Sequence, residues 1–316
     1  GADARGMMQF LPSTGSGVAR RLGMSFSAEQ LWDPDYNMTL GSYHLGELMA
    51  ANNGSMLLAT VGYNAGPARP NQWIARCGDP RGDANAAIVG KSADIAQTTE
   101  RVAIGKMLNA GQICLAPDYM LVPEEQEGEV VAGLKKAATA MYQTLLSNPD
   151  YTAIINDRHH ARLTEWIDDA RAKGATVDVV NPADEDFSTA NSRKMPLHIL
   201  TGVTDDMTVM QEEIFGPVLP VRRYTGGVDG AIAEVNKRDR PLAVYYFGKD
   251  EGEKRRVLDR TISGGATVND VIFHVSMEDL PFGGVGPSGM GAYHGRDGFV
   301  TFSHAKSVYQ QPKIDV

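Results

Sequence analysis

The chain has 316 residues, 42% of them hydrophobic and 22% charged, the composition of an ordinary globular protein with room for one large or two modest domains. Its net charge of −9 arises from Lys and Arg interspersed among Asp and Glu, which argues against a nucleic-acid partner or an anionic membrane surface. No run of about 18 apolar residues reads as a membrane span. The only cysteines, Cys77 and Cys114, lack CxxC or Cys/His spacing, so two thiols are expected rather than a disulfide. Gly1 in place of Met, without a charged-then-apolar leader, points to a natural N-terminus further upstream.

Residues 1–84 read as all-helical. "YNMTLGSYHLGELMAANNG" sets Leu40, Tyr43 and Leu48 near one helix face with Gly54 as C-cap, and a second helix starts at Ser55 and is broken by "AGPARP". From Asn85 the pattern changes. Apolar, β-branched runs at Ala87–Val89, Thr152–Ile155, Thr176–Val180, Leu197–Leu200, Leu242–Phe247 and Ala266–Asn269 read as strands. Amphipathic helices separate several of them. One carries Ile104, Met107, Leu108 and Gly111 on one face; another carries Leu163, Trp166, Ile167 and Ala170 and ends at Gly174. Strands alternating with helices predict an α/β region with a largely parallel sheet. His159 and His160 fall at a predicted helix start, no H-E-x-x-H spacing exists, and no metal site is expected.

Three segments of the helical region, "ARGMMQFLPSTGSGVARRLGM", "LWDPDYNMTLGSYHL" and "ATVGYNAGPARPNQW", occur in an order that resembles the soluble lytic transglycosylases, lysozyme-like enzymes acting on peptidoglycan. The resemblance implies that Met8, Gln9, Tyr63 and Asn64 line a glycan groove. Read without it, Met8 and Tyr63 are core, and Gln9 and Asn64 are cap or turn residues. Glycosidic cleavage needs a carboxylic acid to protonate the leaving oxygen. In the resembled family that Glu precedes the segment matched from Gly1. Glu29 and Glu47, the glutamates of this half, do not match its motif, and no transglycosylase activity is expected.

Cys114 lies in "LNAGQICLAPDY". Taken alone, such a cysteine reads as a small buried hydrophobe. With "QEEIFGPVLPV", "SGGATVND", "LPFGGVGPSGMGAYHG" and "TFSHAKSV" in that order, residues 85–312 resemble the aldehyde dehydrogenase superfamily, especially its class 3 branch of fatty- and coniferyl-aldehyde enzymes. The resemblance implies that Cys114 is the nucleophile, that NAD or NADP is the hydride acceptor and that a small-molecule aldehyde is the substrate. It further implies that Glu213 holds the ribose hydroxyls with Phe215 packed beside it, that the setting is cytoplasmic, and that a homodimer forms through "KSVYQQ". Asn109 is a substrate-side candidate or a helix C-cap, and His294 of "AYHG" is the histidine expected near the substrate. Gly284–Gly289 fits G-x-G-x-x-G, but Pro287 removes a donor and no amphipathic helix follows. It is expected to be a loop near the substrate entrance rather than a phosphate cradle.

Immediately before "NAAIVG" the resembled family carries an "ELGGKSP"-like stretch whose Glu is the base for thioester hydrolysis, and further upstream most of its cofactor-binding sheet. Here "CGDPRGDA" and the transglycosylase-like residues occupy those positions. Natural fusions join whole domains through exposed linkers. The expectation is therefore a seam at Ala84/Asn85 between two incomplete family domains. Both are expected to expose apolar surface and neither to complete its reaction.

Overall fold

The computed structural model describes residues 4–6, 8–52, 59–60, 62–63, 67–68 and 84–311. The chain folds as two compact units, Gly1–Asp79 and Pro80–Val316.

In the first unit, helix α1 (Pro12–Leu22) begins with a proline, whose fixed φ suits a first helical position, and closes on Gly23 in the left-handed region at φ 70°. Helix α2 (Pro34–Ala51) is capped by Asp33, which accepts the Tyr36 N–H at 2.8 Å. Between them, Phe10, Val18, Ala19, Leu31 and Leu40 form a small core. Tyr43, expected on the buried face of α2, is exposed instead. The face buries Asn37, Leu40, Gly41 and Leu48, because Met8 packs where a Gly41 side chain would lie: a Cβ there would meet Met8 Cγ at 2.5 Å. The expected C-cap, Gly54, lies outside the described residues. So does most of the second expected helix, of which Ala59, Thr60, Gly62 and Tyr63 are helical.

The second unit is built on a seven-stranded sheet. Its strands are β1 (Ala86–Val89), β2 (Tyr119–Pro123), β3 (Thr176–Val180), β4 (Leu197–Thr201), β5 (Val218–Tyr224), β6 (Ala243–Phe247) and β7 (Gly265–Val268), in the spatial order β3-β4-β5-β2-β1-β6-β7. Every pairing is parallel except β3 with β4. Both faces are covered, as a parallel sheet requires. Ala87, Val89, Met120, Val122, Tyr245 and Phe247 enter one core with residues of helices α3 (Ile95–Met107), α4 (Glu127–Met141) and α5 (Asp157–Ala172). Their neighbours in sequence, Ala86, Ile88, Tyr119, Leu121, Val244 and Tyr246, enter a second core with α6 (Val228–Asn236) and Val257 of α7 (Glu251–Arg260). This is the alternation of side chains along a strand.

Two strands, β2 and β5, were not expected from the pattern, and one expected strand is absent. Residues 152–155 join no ladder. Buried Ile154 exchanges bonds with Arg193, and the Ile155 N–H donates to the Gln112 side chain at 2.9 Å. Helix α3 stops at Met107, so Leu108, expected on its buried face, is exposed. Helix α5 buries Leu163, Trp166, Ile167 and Ala170 as read, with Gly174 beyond its end at φ 97°. Towards the C-terminus, Phe299, Phe302, Val308 and Tyr309 are exposed, the first two on or beside helix α8 (Gly295–Thr301). No helix among the described residues is long and apolar enough to cross a membrane.

Candidate active site

Ligand crevices of open parallel sheets usually lie at the carboxyl ends of the strands. Here the candidate residues gather at the amino ends. Cys114 lies on the loop leading into β2, Asn85 directly before β1, and Glu213 on the loop leading into β5.

The approach to Cys114 is a left-handed turn. Asn109, Ala110 and Gly111 follow one another at φ 51°, 52° and 72°. For the two non-glycine residues this costs about 1–2 kcal/mol each, which the surroundings must offset. The Asn109 carbonyl accepts the Gln112 N–H at 3.1 Å, and the Asn109 amide donates to the Gln112 carbonyl at 3.1 Å. The Gln112 amide donates to Asn109 and Ala153 carbonyls, both at 3.1 Å. Asn109 is thus a left-handed residue just past the helix end, with its side chain turned to its own loop. Gly111 admits no side chain: a Cβ would lie 2.4 Å from the Gly216 carbonyl oxygen. The Cys114 loop and the Glu213 loop therefore touch backbone to backbone.

The Cys114 side chain is exposed, while the loop behind it is fastened inwards. The Ala116 N–H closes a turn on the Ile113 carbonyl at 2.9 Å. The amide of buried Asn85 donates to the carbonyls of Cys114 at 2.7 Å and Ala116 at 3.3 Å. Between them, the Leu115 carbonyl accepts the hydroxyl of buried Tyr245 at 2.6 Å.

Beneath the Glu213 loop lie two buried charges, Lys106 and Asp118, and the half-buried Arg162. Asp118 accepts the Ile214 N–H at 3.0 Å, and Arg162 donates to the Glu213 and Ile214 carbonyls at 3.2 and 2.6 Å. Lys106 is fully buried, and among the described residues no hydrogen-bond acceptor reaches its Nζ. Burial pushes Lys106 down to about 8, against the attraction of Asp118 and Glu213. Burial likewise pushes Asp118 up to about 6, opposed by Lys106 and the Ile214 N–H. Glu213 itself is half-buried, and Phe215, at φ 50°, is exposed. A carboxylate on a loop held by its backbone from below, with its side chain partly open to solvent, fits the donor hydroxyls of a ribose.

His294, at φ 81°, stacks on Phe282 with ring centroids 5.9 Å apart and meets Tyr293 edge-on at 4.6 Å. A chain of rings runs from Phe282 through His274 to Tyr245, whose hydroxyl holds the Leu115 carbonyl, so His294 stands three ring contacts from the support of the Cys114 loop. The segment 284–289 folds back on itself, with Gly286 bridged to Gly289, and the next helix, α8, starts only at Gly295.

In the first unit, Met8 and Tyr63 pack against the core and the Tyr63 hydroxyl donates to the Met8 carbonyl at 2.9 Å. Gln9, at φ 53°, is exposed in a turn, and Asn64 lies outside the described residues. Asn37 accepts the Met8 N–H at 2.7 Å and donates to the Leu31 carbonyl at 3.0 Å, holding this segment. Glu47 forms a bidentate pair with Arg21 at 2.7 and 2.8 Å, and that hydrogen bonding holds its carboxyl below the usual range.

Sequence reasoning named Cys114 and Glu213 but missed their supports: Asn85, Tyr245, Lys106, Asp118 and Arg162. Lys106 offered a signal, a charge within the apolar pattern of α3. Asn85 offered none, since a polar residue before a strand reads as loop.

Residues 75–308 match the aldehyde dehydrogenase family, and residues 1–85 match the transglycosylase SLT domain. A probable coniferyl aldehyde dehydrogenase of Caulobacter vibrioides is 57% identical over 235 residues, which cover 74% of this chain and 48% of that protein. The substrate-bound state of Staphylococcus aureus AldH superposes with a TM-score of 0.67 at 38% identity, covering 74% of this chain and 50% of that one. A betaine aldehyde dehydrogenase double mutant of the same organism, in complex with NAD+, gives 0.61 at 26% identity over 70% of this chain and 44% of the other. The chain spans about half the length of the relatives it matches.

Proposed function

The chain belongs to the aldehyde dehydrogenase family, and from that premise we propose that its chemistry is thiolate addition to an aldehyde at Cys114. The Cys114 sulfur bonds to the carbonyl carbon, and the former carbonyl oxygen, now an oxyanion, takes a hydrogen bond from the Cys114 backbone N–H. Loss of the aldehydic hydrogen as hydride leaves a thioester on Cys114, which water converts to a carboxylic acid with return of the thiol. NAD or NADP, when bound, supplies the hydride acceptor, and Glu213 is the residue that would hold its ribose hydroxyls, with Phe215 at the rim. His294 is assigned to the substrate side, while Asn109, whose amide closes its own loop on the Gln112 carbonyl, serves there through the shape of the turn. The coniferyl aldehyde relatives favour an aromatic aldehyde, with long-chain aldehydes as the related class.

The observation that carries this reading is the exposed thiol of Cys114 three residues past a strained turn, which is backed against the Glu213 loop at Gly111 and Gly216. Strain of this kind persists only where surrounding structure maintains it, and it concentrates at functional sites. We further propose that the two family segments join at Ala84/Asn85, and that residues 1–316 do not complete a dehydrogenase cycle. The transglycosylase match runs over residues 1–85 and the dehydrogenase match starts only at residue 75, so most of what lies ahead of Asn85 is of the transglycosylase type and not the part that carries the base and the pyrophosphate turn in the resembled family. The test is acylation by p-nitrophenyl acetate. One acetyl group per chain is expected at Cys114 and none there in Cys114→Ser; equal labelling of the two proteins overturns the nucleophile.

The second reading, peptidoglycan cleavage by residues 1–85, rests on the SLT match. Glu47 does not suit the acid, since Arg21 stabilises its ionised form when a raised pKa is needed. Release of soluble muropeptides from cell-wall sacculi by this chain would support that reading.

A further inference from the structure

We propose that Asn85 and Tyr245 are positioning residues that hold the nucleophile turn by its carbonyls, an inference that rests on Cys114 being the nucleophile. Three consecutive peptide oxygens, those of Cys114, Leu115 and Ala116, point into the core. A loop outside any ladder must find a partner for each buried carbonyl. Here two side chains supply them all. Tyr245 takes the middle oxygen from β6, and Asn85 takes the flanking pair from the start of β1.

The chemistry fixes which way the Asn85 amide faces. The Ala243 N–H points at one of its atoms at 2.7 Å, so that atom is the acceptor oxygen; the NH2 must then face Cys114 and Ala116. The Asn85 backbone carbonyl also accepts the Asp118 N–H at 2.9 Å, closing the far end of the same loop. With the carbonyl of Cys114 drawn inwards by Asn85 and that of Ile113 held by the Ala116 N–H, the peptide planes on either side of Cys114 lose their freedom to rotate. Its side chain is left facing out and its N–H keeps one direction. The requirement this meets is orientational: a nucleophile and its oxyanion donor on one residue work only if that residue holds one pose. Asn85 is the last residue of the transglycosylase match and lies inside the dehydrogenase match, which starts at residue 75, so this anchor falls within the dehydrogenase segment.

The experiment alkylates Cys114 with iodoacetamide across pH and resolves it from Cys77 by peptide mass spectrometry. It compares the folded chain with the same chain in urea, for the parent protein, Asn85→Asp and Tyr245→Phe. Asn85→Asp keeps the acceptor for Ala243 and sets an oxygen against the Cys114 and Ala116 carbonyls. Tyr245→Phe removes one hydroxyl from the core and nothing else. The parent Cys114 is expected to differ from its urea-unfolded rate by about fivefold or more, with a displaced pH profile. Asn85→Asp is expected to bring both to within about twofold of the unfolded values and Tyr245→Phe part of the way, while amide-exchange protection of β2 and β5 stays as in the parent. A distinctive parent profile that both variants retain overturns the positioning role and leaves the nucleophile standing. A parent Cys114 that reacts as in urea overturns both. Should Asn85→Asp fail to fold, Tyr245→Phe decides alone, and an unchanged profile overturns the inference.

Discussion

Gly111 and Gly216 pack so closely that a methyl group on Gly111 would sit 2.4 Å from the Gly216 carbonyl oxygen. This contact joins the turn that presents Cys114 to the loop that presents Glu213, and neither backbone has room to yield without moving the other. Gly111→Ala is therefore expected to lose about 2–5 kcal/mol of stability in urea unfolding, from overpacking and from its left-handed φ together. Cys114 alkylation should change with it. A variant within about 0.5 kcal/mol of the parent would show that the two loops are not locked together.

The buried Lys106 and Asp118 make a pH-dependent contribution of unusual sign. Folded Lys106 loses its proton near pH 8 and the unfolded side chain near 10.5, so its contribution to stability grows as pH rises through that interval. Folded Asp118 takes up its proton near pH 6 and the unfolded side chain near 3.8, so its contribution grows as pH falls through that interval. Both groups carry charge between about pH 6 and 8, where the pair helps least. The stability difference between the parent and the Lys106→Met/Asp118→Asn double variant is expected to be least favourable to the parent in that window. It should shift towards the parent by up to about 3 kcal/mol on either side. A difference that stays flat with pH contradicts this.

The exposed Phe299, Phe302, Val308 and Tyr309 make the C-terminal flank apolar. Exposed large apolar side chains gathered in one segment favour association. Light scattering of the chain is expected to rise with concentration, and to fall severalfold in Phe302→Ser/Tyr309→Ser with Cys114 alkylation unchanged. Equal scattering by the two proteins would place the adhesive surface elsewhere.

Much of the sheet was legible because a parallel strand buried on both faces is a plain apolar run, as at Leu242–Phe247. β2 and β5 escaped because Pro123 and Pro220 each remove a ladder donor and so argue against a strand; the other residues of β5 bury enough surface to keep it central between β4 and β2. The opposite error, at Thr152–Ile155, came from an apolar run whose partners are an arginine backbone and a glutamine side chain rather than a strand. Cys114 and Glu213 are singled out in the sequence only by the motifs around them. Their supports are not, because Asn85 meets Cys114 across 29 residues and Ala243 across 158, a pairing that no local pattern encodes.

The most direct test of the central claim is aldehyde-dependent reduction of NAD or NADP by the purified 316-residue chain, with Cys114→Ser beside it. No sustained cofactor reduction is expected with aromatic or long-chain aldehydes, from a chain whose Cys114 still takes up an acyl group. Steady, Cys114-dependent turnover at an ordinary enzymatic rate would contradict it, and would mean that residues ahead of Asn85 supply the missing base and cofactor contacts.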